Sequence, residues 1–508
     1  MSHLVGLDIG TSSVKGLLVD HEGRVAARAS RELSVDSPMP SWNEQAPRDW
    51  WSACSSVLQS LTSVLPSGGE ITGIGLSGQM VGAVLLDAKG AVLRPCIMWS
   101  DSRSFEETQE ITSAIGKERI LEATCNAMVP NYIPPKLLWV RKHEQSVYSR
   151  IATVLFPKDY VGFRLTGELA TDMSDASAGG FFDTARGDWS DVMLGELDVP
   201  KDWMPQCAPS GQVVGRVRQD VAEETGIPAG TPVVAGAGDQ VAGAVGTGLV
   251  DPSTGLLVTG SSGVVLCLSD APARDVHGLG ITSVNYAEPG VFALIGTSLA
   301  AGYSLKWVRD KLARDVTAFA HTKSSDPYAI LAAIAAEAPV RSGGLLFLPY
   351  LTGERTPHPD AHARGVYCGL TPQHGWPEMV RAVMEGVAFS LRDILGALEG
   401  LGVKPKRLIA SGGGARSVFW RQVQADVLGL PVATMNIDEG PAFGAALLAG
   451  VGTGVYRDTR QAAETAVSVV SELEPDAANQ AAYDTGFSQY RELYYALKEF
   501  FVGAYGER

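Results

Sequence analysis

Leu4-Val5-Gly6-Leu7-Asp8-Ile9-Gly10-Thr11-Ser12-Ser13-Val14-Lys15 opens the chain as a strand, a turn and a returning strand. Residues 4–8 form an apolar run closed by an acid, residues 14–19 form a second run, and glycine and hydroxyl residues join them. The plan returns in the second half of the chain. Residues 255–259 are strand-like, Gly260-Ser261-Ser262-Gly263 turns, and 264–268 runs back. Gly-Thr-Ser-Ser-Val at 10–14 thus stands against Gly-Ser-Ser-Gly-Val at 260–264. Two hairpins, each opening one half, predict two related domains facing a cleft.

Outward from the hairpins, helices alternate with strands, which predicts mixed α/β architecture. Residues 47–65 place apolar side chains at 50, 54, 57, 58, 61, 64 and 65, a helical stripe with proline in its first turn. Residues 71–76 and 83–86 read as strands around the turn Ser77-Gly78-Gln79-Met80. In the second half, 377–398 reads as a helix, 408–410 as a strand and 417–428 as a helix. The segment 246–255 is the expected junction, dividing the chain into domains 1–246 and 247–508, and the last 50 residues read as helical.

A chain of 508 residues, 45% hydrophobic and 19% charged, suits two soluble domains. A formal charge of −15 argues against nucleic acid or an anionic membrane surface as partner. No apolar run approaches the about 20 residues of a membrane helix. The N-terminus has no basic region followed by a long apolar stretch, so a cytoplasmic location is expected. The six cysteines are scattered without a C-x-x-C, which gives no support to a zinc site or a disulfide framework.

Three segments carry chemistry. In the first hairpin the glycine lets backbone amides approach an anion, Thr11, Ser12 and Ser13 add donors, and Lys15 is the only cation. Asp8 there is placed to hold Mg²⁺ through water, or to cap a plain turn. In Ala235-Gly236-Ala237-Gly238-Asp239-Gln240, an acid follows a strand and a glycine turn and begins a helix. Asp239 reads either as an N-cap or as a base facing the cleft. Val241 occupies the third glycine place of G-x-G-x-x-G, which weakens a dinucleotide reading. In Ser411-Gly412-Gly413-Gly414-Ala415-Arg416-Ser417 three glycines before a helix leave room for a planar or phosphorylated ligand. There is no G-x-x-x-x-G-K-[ST] segment.

The order of these segments resembles the sugar kinase/actin-like ATPase superfamily. More narrowly, the chain is similar to the FGGY carbohydrate kinases. Gly365-Val366-Tyr367-Cys368-Gly369-Leu370 with Glu378-Met379 and Ala382-Val383-Met384-Glu385 resembles one family signature, and Pro135-Lys136-Leu137-Leu138-Trp139-Val140 the other. Leu155-Phe156-Pro157-Lys158-Asp159-Tyr160, Asp172-Met173-Ser174-Asp175-Ala176 and the run from Phe347 to His358 add to the likeness.

The resemblance implies two actin-like (ribonuclease H-like) domains flanking an ATP/sugar cleft. It implies ATP-dependent phosphorylation of a ketose, D-xylulose foremost. A kinase of ribulose, a tetritol or another polyol is the alternative, or a catalytically silent sugar-binding sensor. Asp239 then matches the base and Asp8 the aspartate supporting Mg-ATP. Gly10, Thr11, Ser12, Lys15, Gly260, Ser261, Ser262, Trp307, Gly413, Gly414 and Ser417 match nucleotide positions, though Trp307 also reads as a core residue. Met80, Val81, Asp101, Arg103, Asp239 and Gln240 match the sugar side. Partners are then a small sugar and ATP, with a homodimer expected. Three departures lie at the sugar end: Val81 where ketose kinases of the family usually have histidine, Gln240 where they have asparagine, and Ser100 and Ser102 flanking Asp101.

Overall fold

Strands Ser2–Ile9 and Ser13–Asp20 pair antiparallel, with Asp8 opposite Lys15, and the amide of Gly10 closes the turn on the Ser13 carbonyl at 3.1 Å. The computed structural model describes residues 2–65, 68–323, 325–437 and 439–506. The hairpin belongs to a sheet completed by Val25–Glu32, Glu70–Gly78, Pro232–Val234, Val213–Arg216 and the short Ala237–Gly238. Thr254–Thr259 and Gly263–Ser269 begin the second sheet the same way, joined by Thr282–Asn285, Phe292–Ser298, Arg407–Ser411, Val432–Met435 and Val469–Leu473.

Counted from its own hairpin, each sheet has the core order 3-2-1-4-5, with antiparallel pairs at 1-2 and 2-3 and parallel pairs at 1-4 and 4-5. The duplicated α/β plan is therefore present in the strand pairing itself, far beyond the short matching turns.

The sheets are laced together by two helices. Gly440–Gly452 comes from the second half but lies on the first sheet: a Cβ at Gly6 would meet the Ala442 carbonyl at 1.9 Å, and one at Gly75 the Ala445 carbonyl at 1.8 Å. Asp239–Gly246 crosses it, with Gly444 pressed on the Ala242 carbonyl, and its Val241 and Val245 join a core with Leu256, Leu266 and Val284 of the second sheet. Only glycine permits such backbone contact.

Two expectations are revised. Ser77 and Gly78 are strand, because they pair with Asp8 and Ile9 on one side and Ala237 and Gly238 on the other. The last 50 residues are not all helical: Val469–Leu473 pairs with Val432–Met435 before the long helix Ala477–Tyr505. No described helix is long and apolar enough to cross a membrane.

Candidate active site

Asp8 ends the first strand and Asp239 begins a helix two strands away. Ser77 lies between them, opposite Asp8 on one side and Ala237 on the other. Burial pushes the Asp8 carboxyl up to about 6, with Lys15 and a hydrogen bond to Ser77 pulling back. Burial pushes Asp239 up to about 7, the charge of Asp8 adding to it and hydrogen bonds to Gln240 opposing. A carboxylate at a helix N-terminus is ordinarily favoured in its charged form. Here desolvation and the second acid outweigh that preference. The helix cap is Gly238 and Asp239 is the first helical residue, so Asp239 does not occupy the N-cap position.

The neighbouring glycines have packing reasons. Gly236 has φ +74°, and a Cβ there would meet the Leu76 carbonyl at 1.9 Å; one at Gly238 would strike Met80. Strand Ala237–Gly238 continues the sheet, which leaves no basis for a dinucleotide fingerprint.

The hairpin is braced from behind. Gln45 Nε2 donates to the Thr11 carbonyl at 2.7 Å, while Gln45 Oε1 accepts from Trp50 Nε1 and Gln79 Nε2. Trp99 donates its indole N–H to Thr11 Oγ1 at 2.9 Å, yet the residue is 46% exposed. Gln45 and Trp99 escaped the sequence reading; the only signal was an aromatic two residues before Asp101.

Of the residues expected on the sugar side, Met80 and Gln240 are half-buried, and Val81 is buried at φ +55°, a costly conformation for a β-branched residue. Buried Lys136 holds the Val81 carbonyl at 2.6 Å, and burial pulls its ammonium down to about 7. Asp101 and Arg103 lie in the wall beside this segment. Their side chains are wholly enclosed and bonded bidentately to each other. Asp101 also accepts from the Asn43 amide, and Arg103 pairs with Glu44 and lies over Trp42 and Trp139. Both help to shape the wall that carries Trp99.

In the second lobe, the amide of Gly260 bonds the Ser262 carbonyl, and helix Gly302–Trp307 caps the turn through Gly302 N to Gly260 O at 2.8 Å and Tyr303 N to Ser261 O at 3.1 Å. Ser261 is exposed and Ser262 half-buried. The triple glycine divides into three cases. Gly412 has φ +82° against the Thr259 carbonyl, Gly414 is pressed by Thr259 and Trp420, and only Gly413 faces open space. Packing therefore explains two of the three. Ser417 caps helix Val418–Leu428, its Oγ accepting from the Trp420 amide. Trp307 is half-buried, packs against the core and stacks on Phe347 with centroids 6.4 Å apart.

A fourth carboxyl went unnoticed: Glu354, buried beside this lobe's meander, accepts from Ser298 Oγ and the Leu299 and Arg355 amides. Burial pushes it up to about 7, those hydrogen bonds opposing.

Among the described residues no cluster of three or more histidine, cysteine or acidic side chains forms a metal cage. One atom suits a cation bound mainly by other oxygens: Asp8 Oδ1 is buried without a hydrogen-bond partner.

Residues 3–246 match the family model described as FGGY family of carbohydrate kinases, N-terminal domain, and residues 255–453 match the C-terminal domain model of the same family. The chain is 40% identical to the xylulose kinase of Escherichia coli K12 over 499 residues, covering 97% of this chain and 99% of that protein. It is 34% identical to the xylulose kinase of Bacillus subtilis, covering 98% of each. The crystal structure of xylulose kinase from Rhodospirillum rubrum superposes with a TM-score of 0.91 at 34% identity, covering 98% of this chain and 99% of that one.

Proposed function

The chain belongs to the FGGY family of carbohydrate kinases, and from that premise we propose that it phosphorylates D-xylulose at its terminal hydroxyl, with ATP as donor and Asp239 as base. The kinase activity follows from family membership; the sugar and the residue roles are the proposal. One observation carries the role of Asp239. It is a half-buried acid at a helix start, free of the capping role that such aspartates commonly fill, with a carboxyl poised near neutrality.

In this reading the sugar hydroxyl donates its proton to the Asp239 carboxylate. Its oxygen forms the new bond to the γ-phosphorus as the bond to the ADP oxygen breaks. Catalysis of this kind is positioning and charge stabilisation more than covalent chemistry. Lys15 and the amides of the two hairpins supply donors for the phosphates, and the exposed indole of Trp99 supplies a face for the sugar carbons. Asp8 is the residue to hold Mg²⁺ through water, by its unpartnered Oδ1. Bound there, the ion supplies neutralisation of phosphate charge.

Val81 favours a second reading. Its apolar side chain offers no hydrogen bond to a sugar hydroxyl, and such a loss shifts discrimination by orders of magnitude. A ribulose or tetritol kinase is the alternative. Measuring sugar-dependent ADP release over D-xylulose, D-ribulose, tetritols and glycerol separates the two. The highest kcat/KM is expected with D-xylulose; a higher value elsewhere reassigns the substrate. Release with none of them would favour a silent sensor.

A further inference from the structure

We propose that Ser174 is a positioning residue for Asp239, its hydroxyl tying the amide in front of the base to a buried charge cluster around Lys158. The proposal rests on Asp239 being the base.

The motifs at 155–160 and 172–176 fold together beneath the catalytic helix. Lys158 Nζ lies 2.5 Å from Asp159 Oδ1, 2.8 Å from Asp172 Oδ1 and 3.7 Å from Asp175 Oδ2, and all four side chains are enclosed. Burial works against the charge of Lys158, but the three carboxylates together hold it protonated. Burial drives the Asp175 carboxyl well above the usual range; Lys158 opposes this, while Asp159, Asp172 and Asp239 add to it. Neither oxygen of Asp175 has a hydrogen-bond partner. Three acids around one cation, shut away from water, are poor stabilisers of a fold compared with apolar packing. A positional role gives such an arrangement a purpose.

One chain of hydrogen bonds leads from this cluster to the base. The Gly238 amide donates to Ser174 Oγ at 3.0 Å, and the Ser174 hydroxyl donates to Asp172 Oδ2 at 2.5 Å. Asp172 Oδ2 also accepts the Ser174 amide at 2.7 Å, capping the short helix Met173–Ala178. Gly238 is the cap residue of the helix that Asp239 begins, so fixing its amide fixes the direction in which the base leaves the sheet. The second lobe braces the helix Met173–Ala178, since Ser177 Oγ accepts the amide of Asn285 at 3.0 Å. Ser174 thus acts through Gly238 and touches no substrate.

The test compares Ser174→Ala, Ser174→Cys and Asp239→Asn in the full chain. Ser174→Ala should lower kcat by about tenfold to a hundredfold, the scale of a misplacement of roughly 1 Å. KM for ATP and for the sugar should stay within about twofold. Ser174→Cys, with the shape and a weaker bond, should fall between alanine and the native enzyme. A native kcat in Ser174→Ala overturns the proposal. So do equal losses in kcat, KM and thermal midpoint, or an alanine and a cysteine variant that behave alike. If Asp239→Asn keeps the native rate, the reading of the base itself fails; if it is inactive while Ser174→Ala is normal, only the role of Ser174 fails.

Discussion

The two hairpins share a backbone plan and differ in what they carry. The first, at 10–13, is flanked by Asp8 and Lys15, and its strand leads across Ser77 to Asp239. The second, at 260–263, carries only hydroxyls and is held from behind by the amides of Gly302 and Tyr303. A duplicated fold has thus divided its labour. One copy carries Asp8, Lys15 and Asp239, and the other carries neutral hydroxyl donors at its turn. The Asp8 charge in the same lobe adds to burial in raising the proton affinity of Asp239, as the proposed base near neutrality requires.

The comparison breaks most readily at Asp239. Asp239→Asn should lower kcat by about 10²–10⁴-fold in the ADP-release assay. The same change should raise the thermal midpoint of the free enzyme by a few degrees at pH 8. The sign follows from linkage. The folded carboxyl lies near 7, above its unfolded value near 3.8, so the native state binds the extra proton. Stability from this group is therefore highest below pH 4 and is lost as pH rises through 7. At pH 5 the acid is already protonated when folded, so the advantage of asparagine should shrink.

Asp8→Asn comes next, with an expected loss of roughly 10–100-fold in kcat. It also removes a negative charge that raises Asp239. The acidic limb of the kcat/KM profile should then move to lower pH; an upward move or none would contradict the coupling.

Arg103→Met should act on stability before activity. Breaking a buried pair and leaving Asp101 unmatched costs about 3–5 kcal/mol, read as a lower midpoint in urea. A raised KM for the sugar at unchanged stability would mark Arg103 as a contact residue instead. The smallest effect is expected in the neutral hairpin. A Cβ at Gly260 comes no closer than 3.6 Å to another atom, so Gly260→Ala should fold normally. It should raise KM for ATP by roughly 2–5-fold through crowding of the phosphates.

The hairpins were legible because a glycine and hydroxyl turn between apolar runs is a local signal. Asp8 and Asp239 were legible as candidates for the same reason. The contacts of Arg103 were not, since Trp42, Glu44 and Trp139 reach it only through the folded wall. Strand Val469–Leu473 was missed because its partner lies across two intervening helices. The triple glycine misled in part: Thr259 and Trp420, distant in sequence, demand two of the three.

The helix Gly440–Gly452 lies on the first sheet although it is encoded near the chain's far end. During synthesis, the strands around Gly6 and Gly75 must wait for most of the polypeptide to leave the ribosome before that face is covered. The first lobe therefore cannot mature as an independent N-terminal unit. A nascent chain stalled before residue 440 should be protease-sensitive across its first half, and a C-terminal truncation that removes this helix should disable the lobe that holds Asp8 and Asp239.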